Sequence, residues 1–336
     1  MLSRQRSHLH LLGLTAGALL LAGCADDSAP SSAPTTTAAA TGGVVEVAAG
    51  FYPLAYVAEA VGGDRVSVTN LTRPGAEPHD LELAPRDVAM LTEADLVVHL
   101  AGMQPAVDDA VAAENVVAFD VTQAADLSLT YRPGAHEDEH PEDDGHADED
   151  GHADDKDGEE GEETVDPHFW LDPLRLAAVG EAVAERLAEV DPAGAQEYAT
   201  GAEDLTAELT ALDAELAAGL SDCRVPVLVT SHNAFGYLAD RYGFEQVGIS
   251  GLSPEDEPDP RTVAEVAELV QERGVTTVYS ETLVDPAVAQ TVADEAGAQV
   301  AVLDPLEGLT DASAGDDYPS VMRANLEVLR AGQECA

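Results

Sequence analysis

Short apolar segments alternate with helical segments along most of this chain, and this alternation restricts the fold more than any other feature of the sequence. The predicted strands are residues 44–49, 65–71, 94–100, 116–120, 225–230, 276–280 and 299–303. The predicted helices between and after them are 53–61, 86–93, 233–242, 261–273, 286–296 and 318–330. Short apolar strands separated by helices are typical of βαβ units, whose strands are parallel. The sequence therefore predicts an α/β protein with two lobes, each a parallel-type sheet flanked by helices.

Residues 174–220 separate the two halves and are rich in Ala, Leu and Glu at helical spacing. Pro192 interrupts this pattern, and Asp191 is placed to cap the segment that follows. We expect a short helix followed by one long connector helix that joins the lobes stiffly. The predicted boundaries are residues 44–172 for the N-terminal lobe, 173–222 for the connector helices and 223–336 for the C-terminal lobe.

The N-terminus has the pattern of a lipoprotein signal peptide. A basic start precedes an apolar run at 9–21, and the small residues after it lead to Cys24. The run is too short for a stable membrane-spanning helix. We expect removal of residues 1–23, lipid attachment at Cys24 and a flexible tether over 24–43, which place the protein outside the cytoplasm on the cell membrane. The alternatives are an uncleaved N-terminal anchor and a cysteine that stands at position 24 by chance.

Two cysteines remain after Cys24, and both lie in the second half of the chain. Cys223 and Cys335 are expected to form a disulfide, because unpaired cysteines usually pair in an oxidising compartment. The alternative is two separate thiols.

The formal net charge of −50 argues against nucleic acid as a partner, because phosphate backbones attract basic surfaces. A cation-handling surface and simple solubility are both compatible with this charge.

Carboxylates make up about half of residues 134–164, which we expect to form a disordered loop. The loop carries four histidines, His136, His140, His146 and His152. This composition is typical of weak, unselective metal binding. The alternative is a solvated charge run with incidental histidines.

Three further histidines lie at predicted element ends. His79 and His232 follow strands, and His168 precedes the connector helices. The carboxyl ends of parallel strands form the ligand crevice of α/β sheets, so these imidazoles are placed to converge on one cation. Asp304 follows strand 299–303 and is a candidate carboxylate ligand. A lone histidine is more often a core or surface residue, so the prediction depends on their shared position.

Several motifs resemble one protein family. They are residues 78–83 (PHDLEL) with 87–88 (DV), 94–98 (ADLVV), 166–173 (DPHFWLDP), 231–237 (SHNAFGY) and 303–306 (LDPL). In combination they resemble the cluster A-I solute-binding proteins of ABC transporters, and the zinc branch in particular, over residues 44–336. The resemblance implies two α/β domains joined by one long helix, with metal held between them. It also implies the acidic, His-rich loop.

By the same motifs, the resemblance implies three ligands, His79, His168 and His232. Asp304 falls on the family's C-terminal carboxylate position, and Glu281 matches a carboxylate near the cleft. Some zinc members place a Glu where this chain has Pro78, so the fourth ligand remains open among Asp304, Glu281 and water. We favour an orienting role for Glu281, because good imidazole ligands need outer hydrogen-bond partners.

Three imidazoles and one oxygen suit Zn²⁺ better than manganese, which favours carboxylate oxygens. Similar manganese members carry Glu at the position of His232. The predicted function is capture of Zn²⁺ between the lobes and delivery to an ABC permease and its ATPase, by a monomer that is not an enzyme. The alternatives are a metal-dependent surface adhesin, a manganese-binding transporter component and a zinc hydrolase. The one His-Glu-x-x-His string, at residues 136–140, lies in the acidic loop and not on a predicted helix, and the sequence has no nucleophile elbow, which argues against the hydrolase.

Overall fold

The structure is a computed structural model that describes residues 43–131 and 163–336. The predictions of a signal peptide, a lipidated Cys24, a tether and a metal-binding loop lie outside the described residues. The same holds for the loop histidines, His136, His140, His146 and His152. Within the described ranges, none of the helices combines the length and apolar character that a membrane crossing requires.

The first lobe is built on a four-stranded parallel sheet in the order β2-β1-β3-β4. The strands are β1 (Val45–Ala49), β2 (Val66–Asn70), β3 (Leu96–His99) and β4 (Ala118–Asp120). The helices around it are α1 (Tyr52–Gly62), α2 (Pro85–Glu93), α3 (Pro105–Ala113) and α4 (Thr122–Ala125). All four residues of β3 are buried, as expected for a strand covered by helices on both faces. A short antiparallel pair, β5 (Thr130–Tyr131) and β6 (Thr164–Val165), follows the sheet.

Two helices connect the lobes, α5 (Pro173–Val190) and α6 (Ala195–Gly219). The Asp172 side chain accepts a hydrogen bond from the Leu174 N–H and so caps α5. Asp191 does not cap α6, because α6 begins only at Ala195; its side chain accepts from the Ala193 N–H in the preceding turn and also binds Arg65 and Tyr198. The 25-residue α6 is the long connector, and it packs against α1 of the first lobe.

The second lobe repeats the strand order of the first. Its strands are β7 (Val227–Thr230), β8 (Glu245–Gly248), β9 (Thr277–Ser280) and β10 (Gln299–Val302). They form a parallel sheet in the order β10-β9-β7-β8, so in each lobe the first strand lies between the second and the third. The helices are α7 (Gly236–Tyr242), α8 (Pro260–Glu272), α9 (Ala287–Ala296) and α10 (Tyr318–Gly332). The predicted fold class, two parallel-sheet lobes joined by a long helix, is confirmed.

One hydrophobic core continues from the first lobe through the connectors into the second. It includes Phe51 beside β1, Leu212 of α6 and Leu329 of α10, all fully buried. Trp170 lies within this core, where its indole N–H donates to the Pro305 carbonyl at 2.8 Å and its own carbonyl accepts from the Tyr318 hydroxyl at 2.6 Å. These bonds join the segment before α5 to the second lobe.

The predicted disulfide between Cys223 and Cys335 is confirmed. It ties the C-terminus to the start of the second lobe across a sequence separation of 112 residues. The Gln333 side chain reinforces this link, because its amide donates to the carbonyls of Val225 and Val227.

Candidate metal centre

Four side chains converge where the two lobes meet, His79, His168, His232 and Glu307. His79 lies in the loop between β2 and α2, and His168 precedes the single helical turn Phe169–Leu171 that leads into α5. His232 follows β7, and Glu307 lies in the loop after β10. One potential ligand atom from each lies within 4.8 Å of the others. His168, His232 and Glu307 are buried, and the His79 side chain is 11% exposed.

The distances within this cluster match those expected between ligands of a tetrahedral ion. Glu307 Oε1 lies 3.2 Å from Nε2 of both His168 and His232 and 3.6 Å from Nε2 of His79. The Nε2 atoms of His79 and His168 are 3.3 Å apart. Zinc–ligand bonds of about 2.0–2.1 Å in a tetrahedron put neighbouring ligand atoms about 3.3–3.4 Å apart. These four distances are therefore compatible with ligands of one four-coordinate zinc ion.

Carboxylates lie behind two of the imidazoles. Asp166 Oδ1 is 2.8 Å from Nδ1 of His168, and a Glu281 oxygen is in close ion-pair contact with Nδ1 of His232. The His232 N–H also donates to Glu281 Oε1 at 3.0 Å. A hydrogen on Nδ1 leaves Nε2 free to bind metal, so these partners turn the ligand nitrogens toward the centre of the cluster.

Burial and neighbouring charges shift the pKa values of the residues in this cluster. Burial lowers the pKa of His79. Burial also acts to lower the pKa of His168 and His232, but the carboxylates around them outweigh it and raise both values. Burial opposes ionisation of Glu307, yet the three imidazoles hold its pKa well below the usual range. Glu77 lies nearby, and burial together with the Glu307 charge raises its pKa to about 8. The cluster thus keeps an anionic Glu307 in a buried position, which a bound cation stabilises.

The structure brings together the three predicted histidines but does not bring Asp304 into the cluster. Asp304 Oδ1 accepts from the Leu306 N–H at 2.8 Å, and its main chain is bonded on both sides to Asn325. Its short side chain is occupied in shaping the turn after β10. That turn presents Glu307 instead, with Leu306 in the left-handed region at φ 58°.

Glu307 is the residue that sequence reasoning missed. It stands one position beyond the LDPL motif, in a loop that was already assigned to the crevice. A search of that whole loop for carboxylates, beyond the residue next to the strand, finds it. Glu281 lies behind His232, on the side away from the other cluster members.

Comparison with known proteins identifies the family. The model of the ZnuA family, described as zinc-uptake complex component A, periplasmic, matches residues 47–332. The chain belongs to this family. It is 35% identical over 295 residues to the zinc-binding lipoprotein AdcA of Streptococcus pneumoniae, covering 86% of this chain and 56% of AdcA. It is 30% identical over 326 residues to the high-affinity zinc uptake system protein ZnuA of Bacillus subtilis, covering 95% of this chain and 96% of that protein. The chain spans just over half the length of the AdcA relatives it matches.

Solved structures of similar proteins have the same fold. The laminin-binding protein Lmb of Streptococcus agalactiae, described as bifunctional with adhesin and metal transporting activity, superposes with a TM-score of 0.71 at 31% identity. That match covers 87% of this chain and 99% of Lmb. The Zn(II)-bound ZnuA-like domain of S. pneumoniae AdcA gives a TM-score of 0.67 at 32% identity, covering 87% of this chain and all of that domain.

Proposed function

We propose that this chain is the zinc-binding component of an ABC importer, which captures Zn²⁺ between its lobes and delivers it to a membrane permease driven by an ATPase. One observation carries the proposal. Three imidazole nitrogens and one carboxylate oxygen, from His79, His168, His232 and Glu307, lie within 4.8 Å of one another in a largely buried cluster. Membership of a zinc-uptake family and likeness to a Zn(II)-bound domain support the same metal.

The donor set favours zinc over manganese. Three imidazoles with one carboxylate suit tetrahedral Zn²⁺, whereas manganese prefers more oxygen ligands. Four protein ligands also fill a tetrahedral shell. A catalytic zinc site keeps one position open for water, so the complete set favours capture over hydrolysis. The four ligands come from one chain, and the protein acts as a monomer.

The cellular location follows from the N-terminal sequence and the family together. The family is described as periplasmic, and the S. pneumoniae relative is named a lipoprotein. This protein works outside the cytoplasm, attached to the membrane by lipid at Cys24, with residues 24–43 as the tether. The histidines of residues 134–164 serve as weaker auxiliary metal sites.

The proposal is tested by metal analysis and by competition among zinc, manganese and copper on the mature protein. One tight zinc per chain is expected, with manganese bound much more weakly. Deletion of residues 134–164 should remove only weaker binding, and His232→Ala should remove the tight site while the empty protein stays folded. Loss of the tight site in the deletion variant, or its retention in His232→Ala, would contradict the ligand assignment.

Adhesion is a second candidate, because the similar Lmb is described as both adhesin and metal transporter. Laminin binding by the zinc-loaded protein measures it directly. If the metal has only a structural role, the protein should unfold when the metal is removed. A carrier should stay folded without its metal.

A further inference from the structure

We propose that Asp166, given room by Gly236 and held by Tyr237 at the start of α7, positions His168 for metal binding. The inference rests on the proposed zinc site and adds three residues to it that do not touch the ion. It assigns to α7 of the second lobe a role in placing a ligand that precedes the connector helices.

Asp166 holds His168 through one oxygen. Its Oδ1 accepts from the His168 main-chain N–H at 2.9 Å and lies 2.8 Å from ring Nδ1. Both residues are buried, with Asp166 5% exposed. Two bonds to one oxygen fix the ring against its own backbone and place the ring proton on Nδ1. Nε2 is then left as the metal-binding nitrogen, 3.2 Å from Glu307 Oε1.

The start of α7 encloses the other side of Asp166. A Cβ atom on Gly236 would lie 2.5 Å from Asp166 Oδ2, closer than non-bonded atoms approach, so only glycine leaves the carboxylate its observed position. The Tyr237 hydroxyl donates to the Asp166 main-chain carbonyl at 3.2 Å and accepts from the N–H groups of Ser128 and Leu129. Gly236 therefore leaves the space that the Asp166 carboxylate occupies, and Tyr237 holds the Asp166 main chain.

Space beside Asp166 makes this support necessary. A cavity of about 310 Å³ is bordered by Asp166, Asn233, Gly236 and Gln246, among others. If a Cβ at position 236 displaces the Asp166 carboxylate, or if Tyr237 no longer holds the main chain, the carboxylate has room to turn into this cavity without disrupting the core. Loss of the support is thus expected to misplace His168 before it unfolds the protein.

The test begins with Asp166→Ala and Asp166→Asn in the full mature chain. Zinc affinity is measured by competition with a chelator strong enough that only the tight site competes. Loss of a partner behind a ligand typically costs about 10- to 100-fold in metal affinity, and this range is expected for Asp166→Ala. Asp166→Asn should lose less, because its amide oxygen still accepts from Nδ1–H.

Nitrogen NMR of His168 gives a readout that general destabilisation would not move. At a pH where the His168 ring of the metal-free protein is neutral, the wild type should show the proton on Nδ1, Asp166→Asn should keep it there, and Asp166→Ala should show a mixture of tautomers. An unchanged tautomer in Asp166→Ala, or equal affinity losses in both variants, would overturn the orienting role.

Gly236→Ala tests the enclosure without removing a polar group, and Gly180→Ala is its matched control. A Cβ on Gly180, in the middle of α5, would lie 2.7 Å from the Leu205 side chain, so it adds similar crowding away from the site. Gly236→Ala should weaken zinc binding by about tenfold, the lower end of the range for a lost outer partner. Gly180→Ala should bind as the wild type does.

The outcomes separate this inference from the proposed function. Absence of tight zinc in the wild type would refute the zinc site itself. If the wild type binds zinc tightly and the zinc affinities of Asp166→Ala and Gly236→Ala are within twofold of the wild-type value, only the positioning role is refuted. If Asp166→Ala does not fold, the affinities of Asp166→Asn and Gly236→Ala decide.

Discussion

Glu307→Gln removes the one charged oxygen among three imidazoles while keeping the size of the side chain. Glu307 Oε1 lies 3.2 Å from Nε2 of both His168 and His232, and the side chain is 1% exposed. Removing one charge from a buried ionic group typically costs about 3–5 kcal/mol. Because about 1.4 kcal/mol corresponds to a factor of ten, zinc affinity should fall by roughly two to three and a half orders of magnitude.

Asp304→Asn is the matched control for this substitution. Asp304 is a buried carboxylate of the same loop, three residues earlier, but it lies outside the cluster and accepts from the Leu306 N–H. Asparagine keeps an oxygen that can accept this bond, so the turn should persist. We expect less than about a tenfold loss of affinity, the lower end of the range for residues that support ligands.

The assay is chelator competition at neutral pH, with thermal unfolding of the metal-free proteins to confirm that each variant is folded. The decisive quantity is the ratio of the two affinity losses. A larger loss in Asp304→Asn than in Glu307→Gln would refute the assignment of Glu307 and return Asp304 to the metal site.

Three further predictions concern the site and its frame. His232→Glu should shift preference from zinc toward manganese, because it replaces an imidazole with a harder oxygen ligand; unchanged selectivity in a competition assay would contradict this. Zinc affinity should fall with falling pH, because protons compete with zinc for the imidazole nitrogens. The fall should begin above the usual histidine range, because the pKa values of His168 and His232 are raised. The pKa of His79 is lowered, so this residue adds to the loss only at more acidic pH. Affinity measured between mildly acidic and mildly alkaline pH checks this, and a flat profile is the contrary result. Replacement of Cys223 and Cys335 by serine should lower the free energy of unfolding by about 5 kcal/mol, since the disulfide closes a loop of 112 residues; an unshifted denaturant midpoint would contradict it.

The fold was predictable from sequence because its central strands are short buried runs with turns at both ends. β3 and β7 are buried at every position, and each gives a continuous apolar signal. β8 escaped prediction because it is an edge strand, and its first two residues, Glu245 and Gln246, are polar. Strand order was not predictable in the same way. The alternation of elements indicates parallel strands, but which strands are neighbours depends on how the helices pack.

The site was only partly predictable, for a related reason. His232 lies directly after β7 and His79 lies in the loop after β2, and both can be found without knowledge of side-chain packing, because loops at the carboxyl ends of parallel strands form the ligand crevice. Glu307 is placed by a turn whose direction depends on Asp304 and on the left-handed backbone of Leu306. The role of Asp166 depends on the space that Gly236 leaves, which no local pattern reveals. Ligands set by element ends can therefore be read from sequence, whereas those set by loop geometry require the structure.

A carrier must hold its ion firmly and still release it, and the contacts around this site connect both requirements to the junction of the lobes. Trp170, two residues after His168, donates to the carbonyl of Pro305, two residues before Glu307. Asp166, two residues before His168, is held by α7 of the second lobe. His168 and Glu307 are thus fixed to one another through bonds that cross between the lobes. Residues 166–170 and 305–307 supply both the two ligands and the Trp170–Pro305 bond between the lobes. A movement that separates these two segments therefore also increases the distance between His168 and Glu307. Under the proposed function, we therefore expect zinc affinity to depend on how the two lobes are arranged.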